Sequence, residues 1–122
     1  MNNLIDYFGI KTTDINTETI RLEMEIDERS HQPYGFVHGG MNAVLVETAA
    51  SLGANYNLTD KVAMGIEVNV NHMRSKREGK LIATGTKVHL GTRTAVYTVD
   101  VIDEANKLIA TGRCTLQIVD KK

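Results

Sequence analysis

The sequence predicts a single α+β domain in which one long central helix is wrapped by an antiparallel β-sheet, with a short helix preceding both. Three observations carry that prediction. One stretch of strong helix formers, MNAVLVETAASLGAN, is apolar almost all round. The chain after it divides into four strand-like segments separated by turn residues. No linker, internal repeat or low-complexity tract interrupts the chain, and 122 residues suit one domain spanning positions 1–122 with one core.

Each element has its own local reason. Within residues 1–15, Leu4, Ile5, Tyr7, Phe8 and Ile10 recur at roughly helical spacing and predict a short N-terminal helix. Residues 19–27 alternate, with Ile20, Leu22, Met24 and Ile26 on one face and Arg21, Glu23 and Glu25 on the other, as in a strand with one wet face. Residues 28–40 (ERSHQPYGFVHGG) hold the only proline, Pro33, with three glycines and two histidines, and read as a loop. Residues 41–55 form the long helix. A helix apolar on every side is expected to be buried, and Ala43, Ala49, Ala50, Gly53 and Ala54 suit close wrapping by a sheet. Strands are predicted over residues 62–73, 80–90, 92–102 and 108–120, with turns at Arg77-Glu78-Gly79 and at residues 103–106.

Composition narrows the function. A hydrophobic share of 42%, a charged share of 24% and a net charge of -1 argue against nucleic acid or an anionic membrane as partner, so any basic patch is local. No segment approaches the roughly 20 apolar residues of a membrane span, and no apolar run follows a basic start, so a cytoplasmic location is expected. The one cysteine, Cys114, excludes an intrachain disulfide and fits a reducing compartment. It reads as a small buried residue rather than a nucleophile. No metal-ligand spacing of His or Cys is present, nor GxSxG or GxxxxGK[ST], so metal, serine and phosphate-loop chemistries find no support.

The informative segment is QPYGFVHGGMNAVLVETAAS, residues 32–51. Gly39 and Gly40 stand where loop becomes helix, so their N–H groups are donors lacking intrahelical acceptors, at a terminus that attracts anions and polarised carbonyl oxygens. His38 and the two glycines would equally serve as a simple helix start. Glu47 is the only charged residue between Met41 and Asn55, and a buried carboxylate is costly unless paired, protonated or facing a cavity. Burial of a carboxyl favours its protonated form and tunes it toward general-base work. Val44, Thr48 and Ser51 neighbour Glu47 on a helix, so hydroxyls are at hand to hold it or a water. A structural acid satisfied from the facing sheet is the competing reading. Beyond His72, Lys76, Arg77 and Lys80 read as solvated surface, whereas Arg74 and Arg93, at strand ends, are placed to meet phosphates.

These residues resemble a known family. GFVHGGM followed by Glu47, with GIEVNVNHMR at residues 65–74 and VHLGTRT at residues 88–94, is similar to the hotdog-fold thioesterases of the phenylacetic-acid-degradation type. The similarity is greatest to the bacterial branch acting on aromatic acyl-CoA esters, such as dihydroxynaphthoyl-CoA and hydroxybenzoyl-CoA, and it covers nearly all of the chain after Ile20. The resemblance implies hydrolysis of an aromatic or medium-chain acyl-CoA, with Glu47 attacking the thioester or activating water. It places the Gly39 N–H on the thioester carbonyl, with His38 beside it. Gln32 orients water or the reacting group, and Ser51 supports the carboxylate. It further implies that Gly40, Asn71, His72, Arg74 and Ser75 lie along the CoA, with Gly91, Thr92 and Arg93 close by. No cofactor is implied, coenzyme A being part of the substrate. The family builds its site between two subunits, which implies a homodimer as minimal unit, in a homotetramer. The segment after Ser51, with Asn55, Tyr56 and Asn57, is where the acyl group would be chosen. Two other activities fit the same fold: a hydroxyacyl-thioester dehydratase or hydratase, and a non-catalytic acyl-CoA-binding module. The mid-helix Glu47 argues against the second.

Overall fold

The computed structural model describes residues 3–121; Met1, Asn2 and Lys122, included in the expected N-terminal helix region and domain span, lie outside them. In chain order the elements are α1 (Leu4–Phe8), β1 (Lys11–Ile15), β2 (Thr19–Glu25), a 3-10 turn (Glu28–Ser30), α2 (Gly39–Tyr56), β3 (Lys61–His72), β4 (Lys80–Leu90), β5 (Thr94–Asp103) and β6 (Leu108–Asp120). The six strands form one antiparallel sheet in the order β1-β2-β4-β5-β6-β3. α2 packs against β2, β3, β4, β5 and β6, so the sheet wraps the helix in the hotdog arrangement.

The alternation read from the sequence sets which side chains meet α2. Ile20, Leu22 and Met24 of β2, Leu81 and Ala83 of β4, Ala95, Tyr97, Val99 and Val101 of β5, and Ala110, Cys114 and Leu116 of β6 are all buried against it. From the helix come Leu45, Val46, Ala49, Ala50 and Ala54, each fully buried, and a side chain such as Leu45 contributes about 1.5–3 kcal/mol by leaving water. Cys114 is a core residue, and burial, with Glu47 and Glu67 adding to it, pushes its thiol up to about 11. That is the inert structural cysteine expected.

Several bounds differ from those expected: β3 runs Lys61–His72 rather than 62–73, and β5 runs Thr94–Asp103 rather than 92–102, which leaves Thr92 and Arg93 in the turn before it. α1 is one turn and a half long and stops at Gly9 in the left-handed conformation (φ 64°). The polar residues after it form β1, which the sequence reading missed. β1 is an edge strand exposed along nearly its whole length, so it lacks alternation, and it joins β2 through a turn in which the Asn16 side chain accepts from the N–H groups of Glu18 (2.8 Å) and Thr19 (2.9 Å). α2 begins at Gly39 rather than Met41.

Candidate active site

The loop before α2 is fixed from three sides. Gln32 Oε1 accepts from the N–H of Tyr34 (2.6 Å) and of Phe36 (3.3 Å), closing the loop on itself. Val37 N–H donates to Lys76 O (2.8 Å), His31 Nε2 to Arg77 O (2.8 Å), and the Arg77 guanidinium lies 4.0 Å over the Phe36 ring. His38 N–H donates to Ser30 O (2.7 Å). The docking partner, residues 76–77, is itself held by an ion cluster. Lys76 Nζ reaches Glu104 (2.7 Å) and Asp103 (3.3 Å), and the Lys76 hydrogen bond holds the Glu104 carboxyl down at about 2. Lys76, expected as solvated surface, is instead largely covered and anchors the loop; Arg77 is exposed as expected while also holding the loop, and Lys80, half-exposed, pairs with Glu23 (3.5 Å).

This loop delivers His38 as the N-cap of α2. Its Nδ1 accepts from Gly40 N–H (2.7 Å), and its carbonyl accepts from Met41 N–H (2.9 Å). The two helix-start glycines thus differ: Gly40 has its donor capped, while the N–H of Gly39 has no partner among the described residues. A side chain at position 39 would meet the ring of His72, 3.0 Å from Nε2, so glycine is what lets that imidazole lie against the helix start. His72 ends β3 and is hydrogen-bonded through Nδ1 to Asn42 Nδ2 (3.1 Å). The sequence reading passed over Asn42. An amide on the first turn of an otherwise apolar helix was its one signal.

Glu47 stands elsewhere. Eight residues beyond Gly39 it lies about 12 Å along the helix axis, two turns from the Gly39 N–H of its own chain. The expectation of a buried carboxylate is corrected here: Glu47 is exposed in the single chain. The sheet covers the other faces of α2 and leaves a stripe of Val44, Glu47, Thr48, Ser51 and Leu52, which with Leu4 and Ile5 of α1 lines a cavity of about 290 Å³. α1 is tied down over it by Arg29, which hydrogen-bonds the Tyr7 carbonyl and lies 5.2 Å from the Tyr7 ring. The Glu47 carboxylate rests on the backbone of Gly65 in β3, so closely that a Cβ there would overlap Oε2. Ser51, one turn on, is joined to Asn55, whose amide donates to Ser51 O (2.8 Å) and Ala63 O (3.0 Å) and accepts from Ala63 N–H (2.8 Å). Asn55, in the segment expected to choose the acyl group, clips the end of α2 to the start of β3.

The expected CoA residues fall into two groups. Asn71, Arg74 and Ser75 are exposed at the His72 end of β3. Gly91, Thr92 and Arg93 form the β4–β5 turn, where Arg93 O accepts from Ile118 N–H (2.8 Å). His72 lies opposite Ala110 on β6, eight residues from Ile118. The two groups are therefore about 26 Å apart along the sheet, and one chain does not bring them together. Among the described residues no cluster of three His, Cys, Asp or Glu could hold a metal ion, and no helix is long and apolar enough to cross a membrane.

The sequence matches the family model of the thioesterase superfamily over residues 34–110, the span from the loop through β6's first strand residues. The chain belongs to the thioesterase superfamily. It is 36% identical over 120 residues to a 1,4-dihydroxy-2-naphthoyl-CoA hydrolase of Listeria monocytogenes, covering 98% of each chain. Among solved structures it superposes on a thioesterase from Haemophilus influenzae with a TM-score of 0.93, at 34% identity, covering 98% of this chain and 84% of that one. A thioesterase from Staphylococcus aureus, solved with a glutamine replaced by alanine, gives 0.94 at 28% identity over 97% of this chain and 99% of that one. The protein is accordingly a hotdog-fold thioester hydrolase.

Proposed function

We propose that this thioesterase hydrolyses acyl-CoA esters carrying an aromatic or medium-chain acyl group, in a site completed between two copies of the chain. The observation that carries this reading is the split between Glu47 and Gly39. One chain holds a carboxylate over an apolar cavity and, about 12 Å away, an unpartnered N–H at a helix N-terminus. A thioester needs both within hydrogen-bond reach of one carbonyl.

β3 supplies the means of joining them. It is the last strand of the sheet, its outer edge has no strand partner among the described residues, and it exposes Met64, Ile66 and Val68. A long apolar edge is a template for pairing with another strand. Glu47 lies against Gly65, and Gly39 lies against His72. For Glu47 of one copy to meet Gly39 of the other, Gly65 must face the partner's His72, which puts the twofold axis between Val68 and Asn69. Antiparallel pairing also reverses the partner's sheet, so the partner's Gly91, Thr92 and Arg93 come to the same end of the joined sheet as Arg74.

In that arrangement the Gly39 N–H donates to the thioester oxygen. Either Glu47 adds to the carbonyl carbon and the C–S bond breaks, leaving an anhydride that water then hydrolyses to the acid and free Glu47, or Glu47 takes the proton of a water that adds instead; in both cases the sulfur leaves as CoA thiolate, which is protonated. Leu4, Ile5, Val44 and Leu52 give the acyl group an aliphatic wall, with Thr48 and Ser51 beside the carboxylate. An aromatic acyl group is the class named for the Listeria relative. Arg74, with Asn71, His72 and Ser75, faces the CoA arm. No cofactor is required.

The test mixes two inactive variants. Glu47→Ala removes the carboxylate; Gly39→Pro removes the N–H at a first helical position whose backbone suits proline, and its ring also displaces the His72 imidazole, so the whole donor half of that chain is lost. Each alone is expected to release no thiol. After co-refolding, half of the dimers are mixed and each of these holds one intact site, so about a quarter of the wild-type rate returns. No recovery in dimers shown to have exchanged would refute the shared site. Hydration of a crotonyl thioester without thiol release would point to the hydratase instead.

A further inference from the structure

Asn42 is the residue in this site whose chemistry the reaction does not yet explain. It is 4% exposed on the first turn of α2, its Nδ2 is 3.1 Å from His72 Nδ1, and its Oδ1 has no hydrogen-bond partner among the described residues. A buried amide oxygen left without a donor is destabilising, and an aliphatic side chain of the same size would avoid it. His72 is exposed at the end of β3, with Nε2 on the patch that Gly39 leaves open.

We propose that Asn42 is a positioning residue that holds His72 in the Nε2–H tautomer, making it a second hydrogen-bond donor to substrate beside the Gly39 N–H. An amide N–H₂ can only donate, so the Nδ1 it meets must be the acceptor nitrogen, and the proton of the neutral ring then sits on Nε2. His38 is held the same way by a different donor: its Nδ1 accepts from Gly40 N–H at 2.7 Å, which also leaves its proton on Nε2. Two imidazoles, one set by the backbone and one by Asn42, thus border the one uncapped N–H of the helix start. A carbonyl oxygen seated there accepts from Gly39 and from His72. Were His72 the other tautomer, its Nε2 lone pair would face that oxygen and repel it.

The kinetic part of this inference rests on the thioesterase reading above; the tautomer does not, so the experiment has two arms. In ¹⁵N-labelled protein at pH 8, with the His72 signals identified by their loss in His72→Gln, long-range ¹H–¹⁵N spectra should show His72 protonated on Nε2. Asn42→Asp keeps the shape but offers only acceptors, and should move the proton to Nδ1. In the kinetic arm, Asn42→Asp and Asn42→Leu should each lower kcat/KM about tenfold, while Asn42→Leu leaves Tm equal or higher because the orphaned oxygen is gone. In the His72→Gln background Asn42→Leu should cost nothing further. A wild-type His72 protonated on Nδ1, or additive losses in the double variant, would overturn the proposal. A wild type that releases no thiol would sink the thioesterase reading, while the spectra would still decide the role of Asn42.

Discussion

The two ends of the candidate site are built to different standards within one chain. Around Gly39 nearly every group is held: the loop is docked through Val37, His31 and Arg77, His38 caps the helix, and Asn42 grips His72. Around Glu47 little is held. The carboxylate lies in the open on a stripe that the sheet does not cover, beside the unpaired edge of β3. The difference teaches that preorganisation belongs to the donor half, where backbone N–H groups must point correctly before charge develops. In the proposed two-copy site, the carboxylate half acquires its dry surroundings when the partner's surface closes over it.

Substitutions at the two ends should differ accordingly. The largest effect is expected for Glu47→Ala, which should lower thiol release at least about a thousandfold while Tm stays near wild type, because the side chain supports no packing. Full activity in that variant would remove the mechanism. Next comes Ile66→Glu, which puts a charge on the β3 edge; sedimentation should show dissociated chains, with activity down roughly a hundredfold at the same protein concentration. Active monomers would refute the two-copy site. Arg74→Ala should raise KM for a CoA ester about tenfold, one charge-assisted contact, and spare a truncated pantetheine ester. An equal loss on both would contradict a phosphate role.

The smallest effect on turnover belongs to Lys76→Met, and its signature is in pH. Glu104 is held at about 2 against an ordinary 4.5, chiefly by Lys76. A carboxyl depressed on folding stabilises the native state above its unfolded value and loses that contribution as pH falls toward the folded one. The stability gap between wild type and Lys76→Met should therefore be full above about pH 4.5 and close as pH falls toward 2, as read by urea unfolding across that range. A gap that did not vary with pH would place the role of Lys76 in packing.

Much of this was legible in the residues. The alternation of β2, the small residues of α2 and the helix start at Gly39 and Gly40 follow from periodicity and helix-terminus chemistry, while the grouping of the site residues came with the family resemblance. What escaped the sequence had physical reasons. β1 has no buried face and so carries no period-two signal. An all-round apolar helix announces that every face is covered but not by which chain, so Glu47 read as buried when its own sheet leaves it open. Lys76 and Arg77 look like any charged turn, because the ion cluster of Lys76 with Asp103 and Glu104 and the stacking of Arg77 on Phe36 are assembled by tertiary contact, not by spacing. Asn42 gave a weak sign, a polar residue in an apolar run, whose meaning depends on a histidine thirty positions away.

The contact between Glu47 and Gly65 has a consequence for how such a sequence can change. A methyl group at position 65 would meet only the far end of a flexible, exposed side chain, which can swing aside at little cost to folding. If Glu47 is the reacting carboxylate as proposed, the same swing takes it off its mark, and an ångström of displacement costs about a hundredfold in rate. Substitution at position 65 therefore passes unnoticed in a screen for folded protein and is caught in one for turnover.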